Sequence, residues 1–247
     1  MKQQTILPIT LVVPVFREAD AIATFLQKWV DLPVRPYRIL LMDDSDDNTG
    51  AFIQAFAREH AWAEWHHAPQ RLGLTASVLA GVGLTTSEWV AVMDADGQHP
   101  QAAWGLAAAY CREGTDLVLM SRQERWGRVI GMSWMRSAFS YGTRWAAWLI
   151  VPNTRRCHDP LSGFFFAKTS LAQQLAPTTG WKILLEILAL TPWRQAVEVE
   201  YQFNPRVAGA SKASVAIGMD YLRRLYYLRQ HRVRHNPQSV QRVRDQV

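Results

Sequence analysis

The stretch Trp89-Val90-Ala91-Val92-Met93-Asp94-Ala95-Asp96-Gly97-Gln98-His99 decides how this chain is read. Five apolar residues make a run of strand length, and two carboxylates and an amide follow at its carboxyl end. In an open α/β sheet, ligands bind outside the carboxyl ends of the strands. Hard cations such as Mg²⁺ or Mn²⁺ take oxygen ligands and are commonly shared with substrate phosphates. Asp94 and Asp96 are close enough in sequence to reach one ion, with the Gln98 amide oxygen beside them. An isolated D-x-D at a strand end is more often a solvated turn, so the rest of the chain has to decide.

Upstream, Ile9 to Pro14 and Tyr37 to Met42 are further buried strands. Ala19 to Leu32 carries helical spacing through Ile22, Phe25, Leu26, Trp29 and Val30, and Phe52 to His60 is a second helix. Leu72 to Leu84 is a small-residue helix, and Pro100 opens another through Tyr110. Asp116 to Met120 is a strand ending in Ser121-Arg122. Strands alternating with helices predict an α/β fold with a mostly parallel sheet. Three strands end in polar clusters, at Pro14 to Glu18, Asp43 to Thr49 and Asp94 to Gln98. That pattern suits a nucleotide lying across the upper edge of the sheet. No G-x-G-x-x-G follows the first strand and no Walker A motif occurs, which argues against dinucleotide dehydrogenases and P-loop enzymes.

Beyond Arg122 the character changes. On a helical wheel of Met132 to Ile150, the residues Met132, Met135, Phe139, Ala146, Leu149 and Ile150 share a face expected to meet the core. Trp134, Tyr141, Trp145 and Trp148 lie nearly opposite, with Arg136, Ser140 and Arg144 on a flank. Trp and Tyr favour membrane–water interfaces. Cys157 to Phe166 is a turn feeding a strand, and a helix beginning at Gly180 carries Lys182 amid apolar neighbours. Val197 to Phe203 alternates as a strand and leads into a basic loop holding Arg206 and Lys212. From Ser214 a helix is expected, with Val215, Met219, Leu222 and Tyr226 on one face, and the polar, basic tail from Arg232 is expected to be irregular or surface-bound.

The formal charge is +6, and seven arginines with no acid fall between Arg223 and Arg244. Such a patch fits a polyanionic partner. It lacks interleaved aromatics beyond Tyr226 and Tyr227 and any recognition motif, so an anionic membrane surface is preferred to nucleic acid. The two cysteines, Cys111 and Cys157, suggest neither a disulfide framework nor a metal site. No signal-peptide pattern and no run of about 20 apolar residues is present, which predicts a cytoplasmic protein lying on a membrane rather than crossing it.

Taken together and in order, these motifs resemble the inverting family-2 glycosyltransferases, in their dolichol-phosphate mannosyltransferase-like branch. The resemblance runs over about residues 6 to 230 and rests on Val13 to Glu18, Asp43 to Thr49, Leu72 to Leu74, Asp94 to Pro100, Ser121-Arg122, Asp159 to Phe165, Lys182 to Leu188 and Arg206 to Lys212. It implies a GT-A fold over residues 1–212, followed by an amphipathic helix and basic tail at 213–247. It implies sugar transfer, with inversion, from a nucleotide sugar of GDP-mannose or UDP-glucose type to a polyprenyl phosphate. Pro14, Phe16, Glu18 and Asp44 would then hold the nucleoside, with Phe16 replacing the family's tyrosine and the acidic loop one residue shorter than usual. Asp94, Ala95, Asp96 and Gln98 correspond to the metal motif, the two acids and Gln98 holding Mg²⁺ or Mn²⁺. Arg206 and Lys212 correspond to the donor diphosphate clamp, so Asp94, Asp96, Arg206 and Lys212 form the catalytic set. Arg122, Arg136 and Ser140 correspond to the acceptor-phosphate site, and Asp159 either orients the sugar, the preferred reading, or is only a turn residue. The alternative is a transferase to a soluble or growing glycan acceptor. A processive enzyme is disfavoured by the absence of Q-x-x-R-W and membrane helices. One acting on a soluble sugar would need a general base and have no use for the Arg-plus-aromatic helix. A membrane protein partner is compatible with the preferred reading.

Overall fold

A computed structural model describes residues 4–125, 128–129, 134–176, 182–204, 215–234, 237 and 239–243, with the side chains of 124–138 and 215–217 outside that description. The first half alternates regularly: β1 (Thr5–Val15), α1 (Ala19–Asp31), β2 (Val34–Asp43), α2 (Thr49–Glu59), β3 (Ala63–His67), α3 (Leu74–Gly83), β4 (Trp89–Val92), α4 (Ala103–Ala108) and β5 (Leu117–Arg122). A short hairpin, β6 (Glu124–Arg125) and β7 (Arg128–Val129), precedes α5 (Trp134–Ile150). Then come β8 (Phe165–Lys168), α6 (Thr169–Ala172), α7 (Ile183–Leu190), β9 (Gln195–Tyr201), α8 (Val215–His231) and β10 (Ser239–Val243).

The main sheet has the order β10-β9-β5-β8-β4-β1-β2-β3. All neighbours pair in parallel except β8, which runs antiparallel to both β4 and β5. Leu11, Val12 and Val13 of β1 are fully buried on both faces, as a central strand covered on two sides requires. One face packs against α1, α2 and α4 through Ile22, Phe25, Trp29, Ile53 and Trp104. The other packs against α3, α6 and α7 through Val78, Val82, Leu171, Leu184 and Leu188. From β1 the chain winds outward to β2 and β3, whereas β4 lies on its other side, so the order reverses between β1 and β4. That reversal opens a crevice at their carboxyl ends, where Pro14 to Glu18 and Asp94 to Gln98 lie.

A third layer covers α7. Ala147 and Val151, Leu185 and Ala189 of α7, and Tyr221, Leu225 and Leu228 of α8 form a separate cluster. α7 is therefore buried on both sides and apolar but for Glu186, which pairs with Arg224 of α8. Tyr221 Oη donates to Thr143 O and Arg229 Nη1 to Ile150 O, at 2.8 and 3.3 Å, so α5 and α8 run parallel.

The helix faces read from the wheels need correction. In α5 Ala146 and Ile150 of the expected face do pack against the core, but the buried residues are Arg144 and Ala147, while Phe139 and Leu149 are exposed; Met132 and the side chain of Met135 lie outside the described residues. In α8 the core takes Tyr221, Leu225 and Leu228, leaving Met219, Leu222 and Tyr226 outside. The tail is corrected too: residues 239–243 form an edge strand of the main sheet, paired with β9. Cys111 and Cys157 are both free thiols. Among the described residues no helix is long and apolar enough to cross a membrane.

Candidate functional site

At the ends of β1 and β2 the two adjacent acids do different work. Asp43 Oδ1 accepts the Ser45 amide and Oδ2 the Trp65 indole N–H, each at 3.0 Å. His67 Nδ1 lies 3.4 Å from the same Oδ2, so this carboxylate ties β2 to β3 and shapes the loop. Asp44 Oδ2 accepts the Gly73 amide at 2.8 Å, joining the β2 end to the start of α3. Gly73 is needed there because its φ is +82°. Asp44 Oδ1 has no hydrogen-bond partner among the described residues, which suits it to a ligand better than Asp43. Phe16 lies beneath the Arg71 guanidinium, 4.0 Å from its ring centroid, with Arg17 at 5.2 Å. Arg17, at φ 55°, is turned outward and pairs with Asp46, whose carboxyl the Arg17 hydrogen bond brings down to about 2. The Glu18 amide donates to Thr49 Oγ1 at 3.0 Å, which fixes the turn after β1.

The end of β4 is built around Asp94 and Asp96. Asp96 is buried, and its Oδ1 accepts the Gln98 amide at 3.1 Å. The Asp94 side chain is 38% exposed and faces the crevice. Gly163 crosses beside it so closely that a Cβ there would collide with Asp94 Oδ2. Buried His99 stands behind, with Nδ1 2.7 Å from Tyr201 Oη and Nε2 3.7 Å from Asp94 Oδ2. Burial pushes the Tyr201 phenol well above its ordinary value. The Asp94 carboxylate facing Nε2 favours the tautomer with its N–H there, which leaves Nδ1 to accept from Tyr201 Oη. Gln98 is tied to the strand end leading toward Arg206: its side-chain Nε2 donates to Asn204 O at 3.4 Å and its backbone carbonyl accepts the Asn204 amide at 2.9 Å.

The end of β5 carries the opposite charge. Arg122 donates from Nε to Asp159 Oδ2 at 2.6 Å and from Nη2 to Oδ1 at 2.8 Å. Asp159 is wholly buried. Burial alone would raise its carboxyl, but Arg122, and behind it Arg144, hold it down at about 2. Arg144 is itself buried against the rings of Tyr141 and Trp148, at 4.4 and 5.2 Å. The turn that presents Asp159 is held from two strands. Glu198 of β9 accepts the Asp159 and His158 amides at 2.8 and 2.9 Å, and Ser121 Oγ meets His158 Nδ1 at 3.1 Å. Burial lowers the Lys182 ammonium and the Arg122 charge adds to that, against the pull of Asp94, Asp159 and Asp96.

The structure thus brings Asp94, Asp96, Gln98, Arg122 and Asp159 to one end of the sheet, and Pro14, Phe16, Glu18 and Asp44 beside them. Ser140 is half-buried in α5, and Arg136 lies in that helix with its side chain outside the description. Arg206 and Lys212 lie outside the described residues. Tyr201, Glu198 and Arg71 were not singled out from the sequence. Glu198 carried a signal, an acid at the centre of the alternating run Val197 to Phe203, whereas Tyr201 reads there as an ordinary strand aromatic. Among the described residues no group of three or more His, Cys, Asp or Glu gathers to hold a metal ion. The donor set still fits a hard divalent ion in part: two carboxylates at one strand end, with Gly163 leaving room at Asp94. Such an ion takes its remaining ligands from a diphosphate and water.

Comparison with known proteins agrees with this architecture. The chain is 28% identical over 225 residues to dolichol-phosphate mannosyltransferase of Pyrococcus furiosus, an alignment spanning 89% of this chain and 63% of that protein. It is 26% identical to the Saccharomyces cerevisiae dolichol-phosphate mannosyltransferase, over 76% of this chain and 72% of that one. Among solved structures it resembles glucosyl-3-phosphoglycerate synthase of Mycobacterium tuberculosis in complex with Mn²⁺, UDP-glucose and phosphoglyceric acid, with TM-score 0.63 and 18% identity over 92% and 79% of the two chains. That likeness establishes a shared GT-A fold. The profile of glycosyl transferase family 2 matches residues 10–167, more than half of the sequence, and the chain belongs to that family.

Proposed function

We propose that this chain transfers a sugar of mannose or glucose type from a nucleoside-diphosphate sugar to a polyprenyl phosphate, with inversion and with a divalent cation, Mg²⁺ or Mn²⁺. The observation that carries the reading is the pairing of two poles in one crevice: the Asp94–Asp96 carboxylates at the end of β4 and the rigid Arg122 guanidinium at the end of β5. The relatives named for dolichol phosphate support the acceptor class. Asp94 and Asp96 would hold the cation, whose contribution when bound is neutralisation of the departing diphosphate. Tyr201 and His99 hold Asp94 toward the crevice. Asp159 fixes Arg122 in one orientation, so the guanidinium meets an acceptor phosphate without first being ordered. An anionic phosphate acceptor attacks without a strong general base, and a single in-line displacement inverts the anomeric carbon. Arg206 and Lys212 act with the cation on the donor diphosphate, and Arg136 and Ser140 extend the acceptor side.

Peripheral attachment to an anionic membrane follows from the third layer. Trp145 is 62% and Leu222 51% exposed, and Phe139, Leu149, Met219 and Tyr226 are exposed with them. By helical geometry these side chains flank the outer side of the α5–α8 seam, because on each helix they lie beyond the partner helix from the core. Exposed Arg229 reaches across the seam to Ile150 O, and each basic residue near an anionic surface contributes about 1 kcal/mol.

Incubation with radiolabelled GDP-mannose or UDP-glucose, undecaprenyl or dolichyl phosphate, and Mg²⁺ or Mn²⁺ tests the reading. Label is expected in the solvent-extracted lipid. Label appearing exclusively in a soluble acceptor such as phosphoglyceric acid would overturn the acceptor class.

A further inference from the structure

The edge strand β10 reaches the acceptor side through one buried acid. The β9–β10 register sets Arg242 directly opposite Glu198, and Val240 opposite Ala196, so both pairs face the same side of the sheet. Arg242 Nη2 lies 3.7 Å from Glu198 Oε2. Glu198 is fully buried, and both its oxygens are committed to the turn, Oε1 to the Asp159 amide and Oε2 to the His158 amide. Asp159 in turn grips Arg122. A buried carboxylate is costly unless its charge is compensated and its lone pairs are used. One backbone amide bonds each oxygen, and Arg242 brings a positive charge toward the same carboxylate. This pair joins the edge to the turn that presents Asp159.

We propose that Arg242 is a positioning residue for the acceptor: it holds Glu198, Glu198 holds the His158–Asp159 turn, and the turn sets the Arg122 guanidinium. The proposal rests on the reading of Arg122 as the acceptor-side cation. Removing Arg242 leaves the two amide bonds to carry Glu198 alone, so the turn loosens and Asp159 no longer holds Arg122 in one place. The nucleotide side is untouched, because Asp44 and Phe16 sit at the far end of the crevice, beyond β4 in the sheet order.

Arg242 is 37% exposed, so its replacement should leave the fold intact. The first test compares Arg242→Ala and Arg242→Lys with the unaltered chain in steady-state transfer to undecaprenyl phosphate. Arg242→Ala should raise the KM for lipid phosphate about three- to fivefold, a modest effect because Arg242 is partly exposed and acts on the turn only through Glu198, while the donor KM stays within about twofold. Arg242→Lys should recover most of the loss. Equal changes in both KM values, or no change in either, would overturn the proposal. The second test needs no catalysis: hydrogen–deuterium exchange should show loss of protection at the His158 and Asp159 amides in Arg242→Ala, and in Glu198→Gln. Unaltered protection at those amides in Arg242→Ala rejects the coupling even if the chain transfers no sugar to lipid. Lost protection without any lipid transfer keeps the coupling and rejects the acceptor reading.

Discussion

The Arg122 guanidinium closes on the Asp159 carboxylate through two parallel bonds, Nε to Oδ2 at 2.6 Å and Nη2 to Oδ1 at 2.8 Å. The pair spans the end of β5 and the turn before β8, and it is buried on the Asp159 side. Its strength has a pH signature. With the carboxyl at about 2 in the folded chain against an ordinary 3.8, its contribution is fully present above the ordinary value and is lost as pH falls through about 2. That contribution is on the order of 2 kcal/mol. Asp159→Asn should cost roughly 3 kcal/mol at neutral pH, since it strands a partly buried guanidinium. Urea denaturation at pH 6, 4 and 3 should show the gap between the two proteins narrowing as pH falls; a gap that stays constant would place the stabilisation elsewhere.

Gly163 is expected to tolerate no side chain. A Cβ there collides with Asp94 Oδ2 and lies 3.4 Å from His99 Nε2. Gly163→Ala should therefore displace the part-exposed Asp94 carboxylate and weaken Mn²⁺ binding, with a stability cost of at most about 1 kcal/mol because the side chain can swing away. Gly83, at the end of α3, meets nothing within 4 Å, and Gly83→Ala should be neutral or stabilising by up to about 1 kcal/mol. Mn²⁺ titration and melting of the two variants separate the effects.

Tyr201→Phe removes the hydroxyl that donates to His99 Nδ1 at 2.7 Å. The imidazole is then no longer held with Nε2–H toward Asp94. Groups that orient metal ligands are commonly worth about tenfold or more in metal affinity. A tenfold loss of Mn²⁺ affinity is expected, with metal-free nucleotide binding unchanged. Equal loss of both in calorimetric titration would indicate a general disturbance of the crevice instead.

Trp145 and Leu222 protrude from the third layer without supporting the core. Trp145→Ser and Leu222→Ser should each weaken sedimentation with anionic vesicles by tenfold or more, since burying one such side chain contributes about 1.5–3 kcal/mol. Their melting temperatures should match the unaltered chain. Deleting the tail from Arg232 would also strip β10 from the sheet, so charge is better tested by Arg232→Gln and Arg234→Gln. Their effect on vesicle binding should vanish in high salt. Full binding by the Trp145 and Leu222 variants would remove the α5–α8 face from the membrane.

Much of this molecule was legible from its order of residues. Apolar runs of strand length ending in Asp94, Asp43 and Pro14 announce parallel strands with a ligand edge, because each pattern is local and the backbone answers it locally. The acids of the Asp94 stretch and the place of Phe16 needed no partner to be recognised. What faced what was decided by tertiary structure. Helical wheels put Phe139 and Leu149 inward, yet α5 packs on α7 and α8 through Ala147, with Val151 just past its end, since a third layer buries a different arc of the same helix. Arg122 looked like an unencumbered acceptor-side cation until the fold brought Asp159 onto it from 37 residues away. Asp43 and Asp44 are neighbours in sequence, but Trp65 and Gly73 reach them from different elements and give them different tasks. Ser239 to Val243 has the charge and polarity of a loose tail, and it becomes a strand because β9 offers it an open edge in the register that pairs Arg242 with Glu198. Periodicity specifies conformation and one polar edge; register and layer stacking, which couple residues distant in the chain, specify the contacts that make that edge a site.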